Sequence, residues 1–313
     1  LDYPWAEFFH LGLVVQAFFP QARERKGPAL EITRKLAADP FFQALEISGV
    51  EGPALRKELA QVVRASGKTL VFSGGSYCRA GGHNLHDLEE NKRGKAIHHV
   101  KEIIDEAHDY GCRVLYVMGF EAPSPQDCER AREYFAGSLA ELSFYARGKN
   151  PSAPLAVSVE NFDRLTDTPF LFGPTLQFVG MLRDLRRQNP NLGLTFDTSH
   201  ILQLKEDLAS TFSRVQDVIA HIHLSNCLIK DRSSPFYGDK HPPYGLPGSE
   251  IGIAELSGFF RKLKAQGYFS RAFPTGKPVL SLEVITPPGR TPGETLAEAK
   301  EAFQKAWAEV EQK

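Results

Sequence analysis

The chain has 313 residues, 42% of them hydrophobic and 24% charged, which suits a globular protein with a sizeable core in one large domain or two ordinary ones. Its formal net charge is −1, from 37 basic and 38 acidic residues, so it lacks the overall basic field that drives binding to nucleic acid. No run of about 18 apolar residues marks a transmembrane helix. The opening LDYPWAEFFHLGLVV has no basic region before its apolar run, which fits a first strand better than a signal peptide. Cys78, Cys112, Cys128 and Cys227 show no paired spacing, which predicts free thiols and a cytoplasmic protein.

Strand-like and helix-like segments alternate along the chain. HLGLVVQAF (10–18) suits a first strand, and PALEITRKLAADP (28–40) has helical periodicity up to a proline. FQALEISGV (42–50) is the second strand, followed by a helix over 53–66. KTLVFSGG (68–75) is the third, and the long loop SYCRAGGHNLHDLEEN leads to a helix over 92–110. RVLYVMGF (113–120) is the fourth, before an amphipathic helix over 126–147. The fifth strand is 155–163, with a helix from Pro174, a residue favoured in a first helical turn, to about 188. The sixth (192–200), a helix over 207–218 and the seventh strand (219–226) follow. A second long loop, CLIKDRSSPFYGDKHPPYGLPGSE, precedes a helix over 253–266, the eighth strand (278–286) and a charged helix from 294 onward.

Eight apolar strands alternating with eight helices predict a single (β/α)8 TIM barrel domain over residues 1–313. The alternative is a doubly wound open sheet, but FSGGSYCRAGG lacks the GxGxxG spacing of its nucleotide fingerprint. Active sites of such barrels sit at the C-terminal ends of the strands. Strands five to eight each carry a candidate ligand there: Glu160, Asp197, His223 and Glu283. Counting back by two from each gives polar Ser158, Thr195, His221 and Ser281, while the opposite parity is apolar throughout. Four polar faces ending in a ligand predict one shared metal site.

Two Glu, one Asp and one His make an oxygen-rich site with one imidazole. That set suits one divalent ion, Mn²⁺ first, with Co²⁺, Mg²⁺ or Zn²⁺ as alternatives. Three carboxylates around one ion leave excess negative charge, so a neutral, oxygen-donating substrate fits better there than a second anion.

The stretches SVENFD, LTFDTSH, HIHLSN and SLEV resemble the signature strands of the xylose isomerase-like TIM barrels. That superfamily includes sugar (phosphate) isomerases and epimerases, inosose isomerases and dehydratases, and the endonuclease IV type of DNA-repair enzyme. The resemblance implies that Glu160, Asp197, His223 and Glu283 are the metal ligands. Glu160 and Glu283 would also act as general base and acid in proton abstraction beside a carbonyl, through a metal-bound enediolate. His200, three residues after Asp197, matches the family's substrate-contacting histidine, and Glu46 matches an acidic residue facing the site. The implied activity is that of an isomerase or epimerase of a sugar, inosose or related polyhydroxy-carbonyl compound. A dehydratase or lyase sharing the first step is the alternative, and an endonuclease IV-like nuclease a further one. The implied partner is a small carbohydrate-like substrate, with no nucleic acid and no membrane; family analogy adds a possible homo-oligomer.

The chain departs from the epimerase branch beyond the strand-seven histidine. Where that branch carries a substrate-gripping arginine stands Ile229, followed by Lys230 and Arg232, which become the candidate substrate-binding cations. Asp239 and His241 resemble the Asp-x-His pair of the nuclease branch and could hold a second ion; substrate contact by His241 from an exposed loop is the preferred reading. That branch also needs histidines at the ends of strands three and four, where FSGGSY and VMGFEAP have none. Phe8, Phe9, Phe18 and Phe19 read as core residues, Tyr237 and Tyr244 as possible pocket residues, and His98–His99 as surface.

Overall fold

A computed structural model of the chain describes residues 3–163, 166–167 and 169–311. Eight strands form one parallel sheet: β1 (His10–Leu13), β2 (Ala44–Ile47), β3 (Thr69–Ser73), β4 (Val114–Met118), β5 (Ala156–Glu160), β6 (Leu192–Asp197), β7 (Ile219–Ser225) and β8 (Val279–Glu283). Their order is β1-β8-β7-β6-β5-β4-β3-β2. The ring is drawn together between β1 and β2, where the Gln43 N–H donates to Leu11 O at 2.8 Å and Val14 bridges to Glu46. Eight outer helices follow the strands in turn: α1 (Gly27–Ala37), α2 (Pro53–Ser66), α3 (Glu90–Tyr110), α4 (Cys128–Lys149), α5 (Thr175–Arg186), α6 (Leu208–Val215), α7 (Ile253–Ala265) and α8 (Pro292–Glu311). This is the expected (β/α)8 barrel. No helix among the described residues is long and apolar enough to cross a membrane.

The alternation along the strands builds the barrel from both sides. Val157, Val159, Leu194, Phe196, Ile222, Leu224, Leu280 and Leu282 face outward into the core beneath the helices. Each such side chain contributes about 1.5–3 kcal/mol when fully buried. Inside the barrel, Ala44, Val71, Val114, Ala156 and Val279 form a separate apolar plug. Further along the strands comes a polar layer, in which Ser158 and Thr195 hydroxyls lie 2.6 Å apart and His221 Nε2 lies 2.9 Å from Ser281 Oγ. Ionisable residues occupy the C-terminal end. The interior therefore grades from apolar to charged along the barrel axis.

Three segments differ from the sequence reading. β1 stops at Leu13, and Val15–Phe18, read as its continuation, is a helical turn with all four residues buried. A short apolar run has no periodicity that separates a strand from a buried turn of helix. β6 stops at Asp197, whose side chain caps the short helix Thr198–Gln203. The segment after β3, read as the end of the third strand and a long loop, opens with a helix, Gly75–Ala80. Phe9 and Phe18 are fully buried in the core, as expected of them.

The β6–β7 ladder also contains a bulge: Leu194 pairs with Ile219, but Thr195 pairs with His221. Ala220 is thus an extra residue on β7. Past the bulge, Asp197 lies level with His223.

Candidate metal centre

The four predicted ligands converge. One ligand atom each from Glu160, Asp197, His223 and Glu283 lies within 4.8 Å of the other three. His223 Nδ1 is 3.0 Å from Glu160 Oε1, 3.0 Å from Glu283 Oε2 and 3.8 Å from Asp197 Oδ2. Glu160, Asp197 and His223 are buried, and Glu283 is partly exposed at the mouth.

Asp197 shows why the motif LTFDTSH is built as it is. As N-cap of the helix that follows, its Oδ1 accepts from Ser199 N at 2.7 Å and His200 N at 3.0 Å. The same oxygen accepts from Ser199 Oγ at 2.7 Å and Ser225 Oγ at 2.5 Å. Its other oxygen, Oδ2, is buried and has no hydrogen-bond partner, as is also true of Glu283 Oε2. Burial disfavours the Asp197 carboxylate, yet His200, His241, His223 and Ser199 hold its pKa down at about 2. An anionic carboxylate clamped through one oxygen with the other oxygen free is what a hard divalent cation requires. The donor set fits the expected ion.

Glu46 is placed differently from its expected role. It is fully buried, and its Oε2 lies 3.0 Å from His223 Nε2 and 3.4 Å from His221 Nε2. It therefore sits behind the imidazole instead of facing substrate. Nε2 of His223 thus faces Glu46, which holds the ring, and Nδ1 faces Glu160, Glu283 and Asp197. Burial opposes charge on His223, but Glu283, Glu46 and Glu160 raise its pKa well above the ordinary value. His221 goes the other way: burial lowers its pKa to about 3, and the ring stays neutral.

His200, expected to touch substrate, lines the same cavity, about 310 Å³ in volume. Both of its nitrogens already meet acceptors: Nδ1 is 3.0 Å from Asn161 O and Nε2 is 3.1 Å from Asp239 Oδ1. His241 Nε2 lies 3.2 Å from the same Asp239 oxygen. His241 is only 6% exposed, so this part of the loop is folded into the site and is not the exposed strand of chain expected of it.

Two of the predicted substrate cations lie elsewhere. Lys230 is exposed and ion-paired to Glu250 at 2.7 Å, and Arg232 lies over the Tyr237 ring; neither lines the cavity. Loop direction after β7 has no periodicity from which to read it. The cations that do line the cavity are Arg79 and Lys240. Tyr237 and Tyr244 turn away as well, their hydroxyls donating to Thr166 O and Leu224 O. His99 is not the surface residue expected, since its ring stacks on His83 at 3.9 Å.

Tyr116, Met118, Phe162 and Phe170 complete the wall and were not singled out in the sequence. Tyr116 and Met118 could have been found by parity, because they face inward on β4 opposite Ser158 and Glu160. Burial, then Glu160 and Glu283, raise the Tyr116 pKa well above its usual value, so its hydroxyl stays protonated; it donates to Met118 Sδ at 3.6 Å. Gly75 leaves room for that ring: a Cβ there would lie 2.5 Å from Tyr116 Cζ. His83 and His86 do not join the ligands. His86 Nε2 bonds to Glu121 O at 3.2 Å, and neither histidine belongs to a metal-competent group among the described residues.

Solved structures resemble this one along nearly its whole length. A D-tagatose 3-epimerase-like protein superposes with a TM-score of 0.69 at 18% identity, covering 97% of this chain and 98% of its own. The 3-keto-D-glucoside 4-epimerase of E. coli, in its apo form, gives 0.62 at 17% identity over 97% and 100% of the two chains. An AP endonuclease of family 2 from Brucella melitensis gives 0.62 at 19% over 91% and 96%. At such identities the likeness concerns the fold. No curated protein matches the sequence significantly. The sequence does match the family described as xylose isomerase-like TIM barrel over residues 35–306, and the chain belongs to that family.

Proposed function

We propose that the chain is a divalent-metal-dependent isomerase or epimerase of a sugar, inosose or related polyhydroxy-carbonyl compound. One observation carries the reading: four ligand atoms lie within 4.8 Å of one another, with Asp197 Oδ2 buried and without a hydrogen-bond partner. Sugar epimerases among the solved proteins of this fold support it.

Glu160, Asp197, His223 through Nδ1, and Glu283 would hold the ion. Bound there, it would polarise a carbonyl oxygen as a Lewis acid. The chain's own residues supply the proton chemistry. Burial raises the pKa of Glu160, which strengthens it as a base for the C–H proton beside the carbonyl. His223 Nδ1, 3.0 Å from Glu160 Oε1, holds that carboxyl group in place. Glu283, reaching in from β8 at the mouth, is the partner that returns a proton to the opposite face or to the neighbouring carbon. Phe162, tilted against the His200 ring at 4.3 Å and stacked on Phe170 at 4.5 Å, shields the reacting end from water.

Elemental analysis of the purified protein beside Glu160→Gln tests the first half. About one divalent ion per chain, weakened or lost in the variant, is expected. Solvent-deuterium incorporation at the carbon beside the carbonyl, across a panel of keto-sugars and inososes, tests the second. A protein that takes up no ion even after reconstitution would end this reading.

A further inference from the structure

Beside the metal cavity, at the same end of the barrel, lies a second cavity of about 520 Å³ lined by Arg23, Arg25, Ser48, Tyr77, Arg79 and Ala80. These residues come from the segments that follow β1, β2 and β3. Arg79 borders both cavities. Three guanidinium groups and no carboxylate line the second one.

Two of the arginines, Arg25 and Arg79, each pair with a carboxylate outside the cavity wall, and Arg23 has none among the described residues. Arg25 is 1% exposed, pairs with Glu106 at 2.5 Å through Nη2, and lies 4.0 Å over the Tyr77 ring. Its Nε and Nη1 are buried and bond to nothing. Glu106 is moreover shared with Arg56 at 3.1 Å, so one carboxylate serves two cations. Arg23 donates from Nε to Gln16 O at 3.1 Å, and among the described residues no carboxylate pairs with it. Arg79 pairs with the half-exposed Glu121 at 2.7 Å and lies 4.8 Å over the Phe170 ring. Arg25 is therefore a fixed, buried positive charge behind the cavity wall, while Arg23 and Arg79 are the guanidinium groups that can reach an anion in it. Planar forks of this kind match the oxygens of phosphate and carboxylate. The metal cavity differs in having four carboxylates, Glu160, Asp167, Asp239 and Glu283, in its wall beside Arg79 and Lys240.

We propose that the second cavity is an oxyanion subsite, and that the substrate is a polyhydroxy-carbonyl compound with a terminal phosphate or carboxylate. Its neutral reacting end faces Glu160 and Glu283, and its anionic end lies among Arg23, Arg25 and Arg79. The substrate class rests on the function proposed above; the subsite itself does not.

The test is calorimetric titration of inorganic phosphate, and separately acetate, into metal-stripped protein at low salt. Saturable phosphate binding is expected, weakened about tenfold or more by Arg23→Gln and by Arg79→Gln. Lys230→Gln, which removes an exposed charge outside both cavities, should leave it unchanged. Arg25 is left in place, because losing its buried pair endangers folding, and circular dichroism checks that each variant is folded. Phosphate bound more tightly than acetate assigns a phosphate ester, and acetate bound as tightly assigns a sugar acid. Binding of neither anion, or equal weakening by Lys230→Gln, overturns the subsite. Because no metal is present, a failure of the metal-dependent chemistry would leave the phosphate result intact.

Discussion

Ala220, the extra residue of the β7 bulge, fills the space beside Gly193: a Cβ added to Gly193 would lie 2.5 Å from the Ala220 Cβ. The bulge thus leaves no room for a side chain at position 193, and beyond it the register sets Asp197 beside His223. Gly193→Ala should therefore cost about 1–3 kcal/mol of stability through overpacking. It should also weaken metal binding, although residue 193 touches no ligand. Denaturant midpoints and a metal titration on the same samples check both effects. A variant as stable as the parent would show that the bulge relaxes freely.

Glu46 is expected to act through His223 and not on substrate. Glu46→Gln keeps the size of the side chain but removes the negative charge behind the imidazole. Losing such an outer partner lowers metal affinity by about 10–100-fold. Once excess metal restores occupancy, KM should stay near that of the parent. A KM rise at full occupancy would return Glu46 to the substrate wall.

Removing the ion should loosen the whole barrel, since the four ligands come from four strands. With free ion at about 100 times its dissociation constant, the linkage is worth about 2.7 kcal/mol. Chelation should lower the Tm and added ion restore it, and Asp197→Asn should abolish the response. A Tm indifferent to chelator in a protein proven to be metal-loaded contradicts the site.

Thiol reactivity should separate the cysteines. Burial pushes the Cys78 thiol up to about 12, and burial likewise raises Cys112 and Cys227. A raised pKa favours the neutral thiol, so at pH 8 the thiolate fraction of Cys78 is on the order of 10⁻⁴. Ellman's reagent at pH 8 should label at most the half-buried Cys128 quickly, and all four thiols after denaturation. Fast labelling of Cys78 in the native protein would show that its helix opens.

Much of the site is legible in the amino-acid sequence, because a strand's period of two is a local property. Glu160, Asp197, His223 and Glu283 each end an apolar strand with a polar residue two positions earlier, and that pattern needs only short stretches of sequence. Parallel strands in a barrel then bring their C-terminal ends together wherever they lie in the chain. Tertiary structure alone decided the division of labour around His223. Glu46 stands 177 residues away in sequence, and only closure of the barrel puts it on Nε2 while three other carboxylates face Nδ1. Likewise the choice of Arg79 and Lys240 over Lys230 and Arg232 depended on the paths of two long loops. Those paths follow from packing against distant segments, which no periodicity encodes.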